Sequence, residues 1–149
     1  MVEIRFHAIG AIHTPYLETE GMPIQSARTD TIGTVEVLPE YLEGLDGVEE
    51  FSHLILIYAF HRAPDQINLR VKPFLDDRLQ GIFATRFPNR PNQIGISVVR
   101  LVNRVENRLE FVGADMLDGT PLLDIKPYVP DFDIHAVSRI GWYANRAHL

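Results

Sequence analysis

Residues 81–97, GIFATRFPNRPNQIGIS, set two arginines, two asparagines and two prolines between apolar runs of strand length. Pro88 and Pro91 restrict their own φ and that of the residue before each, so Arg86, Asn89, Arg90 and Asn92 are presented in fixed directions. A guanidinium is a planar fork for carboxylate or phosphate, and a carboxamide offers both donor and acceptor to an amide or a nucleobase. The loop therefore suits anion or base recognition, and equally suits a rigid turn whose polar side chains brace their neighbours. A second polar cluster, ADMLDGTPLLDIKPY (114–128), carries Asp115, Asp118, Asp124 and Lys126 around an Asp-Gly turn. Carboxylates there can bind ribose hydroxyls, act as a base, or pair with the arginines of the first loop. Asp118-Gly119 alone needs only turn chemistry.

His53 and His61 bracket the apolar run LILIYAF (54–60). As one continuous strand, eight residues at about 3.3 Å each hold them roughly 26 Å apart, too far to share a metal ion. Ser52 and His53 are adjacent and should point to opposite faces of a strand, so they do not read as a catalytic pair. His61 and Arg62 emerge together where the run ends, a position that fits a site or a surface loop.

The elements that must position these groups read mostly as strands. RFHAIGAIHTPY alternates up to Thr14-Pro15, and TIGTVEVL forms a second strand after a polar loop. PEYLEGLDGVEEF fits a short helix from Pro39, limited by Gly44 and Gly47. LILIYAF predicts a strand buried on both faces. LRVKPFL predicts an edge strand because Pro73 interrupts bonding. GIFATR, IGISVVRLVNRVE and LEFVGADML follow as strands, the second alternating at Val98, Arg100, Val102 and Arg104. DGTPLLDIKPYVPD reads as a turn, a short apolar segment and a proline-rich stretch, and DIHAVSRIGWYANRAHL as a terminal helix or another strand. Many short strands with few helices predict an all-β fold: a small β-barrel, or folded-over mixed sheet, with short helical segments.

Bulk properties narrow the function. At 149 residues the chain fits one domain, 1–149. It contains no cysteine, which excludes disulfide frameworks, thiolate metal sites and cysteine nucleophiles. No GxG occurs, so a dinucleotide cradle of the Rossmann type is absent, as is a Walker loop. No apolar run approaches the roughly 18 residues of a membrane span, and the amino terminus lacks a signal pattern. A soluble, cytoplasmic protein is expected. The net charge of −6 argues against general affinity for nucleic acid. Charge is nevertheless uneven: residues 1–60 hold two basic and ten acidic residues, whereas 61–108 hold nine basic and four acidic. A basic patch can thus form on an acidic molecule.

Five blocks taken in order carry a resemblance: IGAIHTPY (9–16), MPIQ (22–25), GLDGVEEFSHLILIYAFH (44–61), GIFATRFPNRPNQIGIS (81–97) and DMLDGTPLLDIKPYVP (115–130). With them the chain resembles the TsaA-like tRNA methyltransferases, which use S-adenosylmethionine to methylate N6 of threonylcarbamoyladenosine beside the anticodon. The resemblance implies a non-Rossmann β-barrel active as a homodimer, with cofactor sites near the subunit interface and no metal. It places cofactor contacts at Pro23, Ile24, Gln25, His61, Arg62, Arg86, Ile96, Asp115, Met116, Leu117 and Asp118. Asp118 and His61 are the candidates for taking the N6 proton. Arg90, Asn92, Lys126 and Tyr128 are the candidates for contact with the tRNA anticodon loop. The competing readings are a methyltransferase acting on another nucleobase or a small metabolite, and a cofactor- or RNA-binding barrel without catalysis.

Overall fold

The described residues form eight strands: β1 (Gly10–His13), β2 (Ile32–Val37), β3 (His53–Ala59), β4 (Arg70–Val71), β5 (Gln80–Gly81), β6 (Ile94–Val105), β7 (Arg108–Val112) and β8 (Thr120–Pro127). The computed structural model describes residues 1–20, 22–23, 27, 29–73 and 76–146. Six strands close into a barrel in the order β1-β2-β7-β6-β3-β8, and β8 pairs back onto β1. β4 and β5 make a separate two-stranded ribbon. Every pairing among the described residues is antiparallel, so the sheet is not mixed. Parallel neighbours need a long crossover connection, usually helical, and among the described residues no long helix joins these strands.

Ile12, Val35, Leu54, Leu56, Val99, Leu109, Phe111 and Leu122 are buried within the barrel. Contrary to the expectation of two buried faces, β3 is buried on one: Leu54, Leu56 and Tyr58 point inward while Ile55, Ile57 and Ala59 are half-buried outside. A closed barrel has only one interior.

GIFATR is not a strand beyond Gln80–Gly81. The chain turns into a 3₁₀ segment at Ile82–Ala84, because both the backbone N–H and the hydroxyl of Thr85 fold back to the Ile82 carbonyl, at 3.1 and 2.9 Å. The short helix expected after Pro39 is two 3₁₀ turns, Pro39–Leu45 and Val48–Glu50, divided at Gly47 with φ of 92°. DGTPLLDIKPYVPD holds a full barrel strand, β8, whose Pro121 and Pro127 sit near its ends. After it come one α-turn, Pro130–Asp133, and a 3₁₀ segment, Gly141–Arg146, in place of a long terminal helix or strand.

The register of β3 with β6 sets Tyr58 opposite Gly95 and Ala59 opposite Ile94. A Cβ at Gly95 would run into the Tyr58 ring and reach 2.8 Å from Phe60 Cζ. Gly95→Ala should therefore cost about 1–3 kcal/mol, as overpacking does, and lower the urea midpoint at unchanged slope. An unaltered midpoint would mean that the two rings are free to move aside.

Candidate functional site

A cavity of about 640 Å³ opens where β3 ends and β6 begins. β3 delivers Tyr58 to its wall, the chain beyond adds Phe60, His61 and Arg62, and the start of β6 adds Ile94, Gly95 and Ile96. Two loops complete it, one through Thr85, Arg86, Phe87 and Arg90, the other through Asp115, Met116 and Leu117. The segment after β1 contributes Thr19, Met22 and Pro23.

Hydrogen bonds hold these loops together. The Thr14 hydroxyl donates to the Met116 carbonyl at 2.8 Å, and the Asp118 N–H donates to the Tyr16 carbonyl at 2.7 Å. The Tyr16 and Thr31 hydroxyls are 2.6 Å apart. An Arg62 guanidinium nitrogen donates to the Leu17 carbonyl, and the Phe60 N–H donates to the Gln93 carbonyl at 2.9 Å. Blocks far apart in sequence thus meet at one mouth.

Inside the wall a polar chain runs from β3 through β6 to the 115–117 loop. Ser97 Oγ donates to Asp115 Oδ1 at 2.7 Å, and the Tyr58 hydroxyl lies 2.8 Å from Ser97 Oγ. Serine has a single hydroxyl proton, so Tyr58 must be the donor to Ser97. Burial, and then the negative charge of Asp115, push the Tyr58 pKa above its ordinary value, keeping that hydroxyl protonated.

Of the residues singled out by sequence, Pro23, His61, Arg62, Arg86, Ile96, Asp115, Met116 and Leu117 line the cavity, and so does Arg90. Ile24 and Gln25 lie outside the described residues. Asp118 does not line it: its Oδ1 accepts from the Thr14 N–H at 3.1 Å and sits 3.4 Å from His13 Nδ1. Arg90 commits one guanidinium nitrogen to the Thr85 and Phe87 carbonyls, at 2.9 and 3.1 Å, so it braces its own loop. Asn92 is exposed beyond the lining. Lys126 pairs with Asp124 at 3.0 Å, and Tyr128 lies by His53 at the other end of β3, five residues or roughly 16 Å of strand from Tyr58. These two do not converge with the others within one chain. Ser52 Oγ does bond His53 Nδ1, at 2.8 Å, because Ser52 precedes the strand and escapes its alternation. Tyr58, Phe60 and Thr120 also line the cavity and Ser97 stands behind Tyr58, none of them marked out by the motifs of the sequence. The one available signal was a tyrosine inside an apolar run, whose hydroxyl needs a partner when buried.

The model for the tRNA-methyltransferase O N-terminal domain matches residues 11–134. The chain belongs to this family. A Pyrococcus abyssi protein named a probable S-adenosyl-L-methionine-binding protein is 56% identical over 146 residues, covering 97% of this chain and 79% of its own. The mouse tRNA (adenine(37)-N6)-methyltransferase is 42% identical over 98 residues, covering 64% of this chain and 22% of its own. A crystal structure of TrmO from Pseudomonas aeruginosa superposes with a TM-score of 0.79 at 40% identity, over 95% of this chain and 63% of that one. This chain therefore spans less than two thirds of the solved protein's length.

The Tyr58–Ser97–Asp115 chain makes an ordered prediction. Ser97→Ala strands a buried tyrosine hydroxyl and should cost about 1–3 kcal/mol, whereas Tyr58→Phe leaves Ser97 bonded to Asp115 and should cost only about 1 kcal/mol. Urea denaturation compares them, and the reverse order would contradict a proton running from Tyr58 to Ser97.

Proposed function

We propose that the protein transfers a methyl group from S-adenosylmethionine to N6 of threonylcarbamoyladenosine next to the anticodon of tRNA. The observation that carries this reading is the cavity, whose lining matches the cofactor's chemistry within a chain of the tRNA-methyltransferase O family. When bound, the cofactor supplies a methyl carbon already activated by an adjoining sulfonium. Arg86 offers its guanidinium to a carboxylate. Phe60, Ile94 and Ile96 give apolar contact to the nucleoside, and the Asp115 carboxylate gives a negative environment for positive charge. The loop stitching then contributes most, since alignment of acceptor and methyl accounts for the larger part of what such a displacement requires.

For the proton on the acceptor nitrogen we favour Asp115 over Asp118, and His61, which also lines the cavity, is the second candidate. Asp115 lines the cavity and is oriented by Ser97, while Asp118 is engaged with Thr14 and His13. Neither metal ligation nor a covalent intermediate is required of this chain's residues.

We also read the active form as a homodimer. Ile94, Ile96 and Val98 are exposed on the outer face of β6, with Ile55 and Ile57 of β3 beside them in register. Ile94 and Ile96 belong to the cavity as well, so a second copy seated on this face would also border the cofactor. The cytoplasm is where such a substrate is met. Among the described residues no helix is long and apolar enough to cross a membrane.

Labelled S-adenosylmethionine incubated with the protein and unfractionated tRNA, followed by nucleoside digestion, should place label in the modified adenosine. Label in no nucleoside would overturn the reading. Arg86→Ala should weaken cofactor binding by about tenfold or more in calorimetry, because a bond to a charged group is lost. Asp115→Asn should lower kcat about a hundredfold, the lower range for a general base. A Val98→Lys variant should sediment as a monomer where the parent is a dimer. A monomeric parent would remove the interface.

A further inference from the structure

Phe83 is 76% exposed although the turn that carries it is held from several sides. Ile82 before it is buried. The Trp142 indole N–H donates to the Ala84 carbonyl after it at 2.7 Å. Thr85 closes the turn on Ile82. The backbone is thus fixed while the ring packs into no core, so folding alone gives no account of an aromatic residue there. Beside it, the Arg90 guanidinium lies 6.0 Å from the ring centroid and is itself anchored on the Thr85 and Phe87 carbonyls. Arg90 and Phe87 line the cavity. An exposed aromatic face therefore continues the cavity's rim through an immobilised cation.

We propose that Phe83 is a stacking platform for an unpaired base of the RNA substrate, adjacent to the nucleotide that enters the cavity. Single-stranded nucleic acid is gripped by pairing aromatic faces, which take any base, with positive charge that meets the backbone. Both partners are pre-set here, so ordering them on binding costs little. Arg70 is exposed on β4 opposite Gly81, two residues before Phe83. The occupant is taken to be RNA because the ring adjoins the Arg90 guanidinium and the cavity rim, with Leu69 and Leu79 of the neighbouring ribbon also exposed. Such a platform rests on the tRNA reading of the cavity.

Three proteins test it: Phe83→Leu keeps apolar bulk without an aromatic face, Phe83→Trp keeps the face, and the parent is the reference. Affinity for unfractionated tRNA, affinity for S-adenosylmethionine and the rate of methyl transfer are measured for each. Phe83→Leu should weaken tRNA binding about tenfold, within the range for one lost base stack. Phe83→Trp should bind as the parent does, and cofactor affinity should be the same in all three. A Phe83→Leu variant that binds tRNA as tightly as the parent overturns stacking while leaving the methyltransferase reading intact. Equal loss of cofactor and tRNA binding also overturns it, since the turn and not the ring would then be at fault. A parent that methylates no tRNA overturns the functional reading, and the platform with it.

Discussion

The barrel can close over Tyr58 because its hydroxyl has somewhere to go. That group ends a run of otherwise apolar residues on β3, and burial without a bond would cost on the order of a few kcal/mol. Ser97, a small residue on the neighbouring strand, takes the bond and passes it on to Asp115. Gly95 makes room for the ring. One hydrogen-bond chain thus joins strand register to the placement of a carboxylate at the mouth. A shift of β6 by one residue would turn Ser97 outward and leave both tyrosine and aspartate without it.

The second requirement is that loops hold still without a helix to carry them. Thr14, Tyr16 and Asp118 bind the segment after β1 to the segment before β8. Arg90 and Thr85 brace the proline-containing loop. Side chains that looked equally suited to ligand contact and to bracing do not all stand at the cavity. Arg86 faces the cavity, Asp118 ties a turn, and Arg90 braces its loop while standing at the rim. Net negative charge and a cationic mouth are compatible because the arginines cluster in the loops that build it.

Much of the architecture was legible because a half-buried strand writes itself as alternation: β2, β6 and β7 follow from period two, whereas the strand expected from Arg5 forms only at Gly10–His13. β3 was legible as a strand, but its unbroken apolarity suggested two buried faces where a barrel supplies one and leaves the other half-covered. β8 was hidden by Pro121 and Pro127, which a strand tolerates at its ends. GIFATR misled because Thr85 bonds backward to Ile82, a side-chain choice that no periodicity records. At the site, family resemblance pointed to Arg86, His61 and the 115–117 loop, whereas Ser97 was invisible: a serine in an alternating strand gives no hint that it faces inward to a tyrosine. Lys126 and Tyr128 looked near the site in sequence, but β8 carries them to the opposite end of β3.

The cavity between β3, β6 and the 115–117 loop is where we propose that the sulfonium nucleoside binds. A crystal structure of the protein with S-adenosylmethionine tests it most directly. The nucleoside should lie between Phe60 and Ile96, with its carboxylate at Arg86 and its sulfur on the Asp115 side. Cofactor bound on any other surface, with this cavity left to solvent, would contradict it.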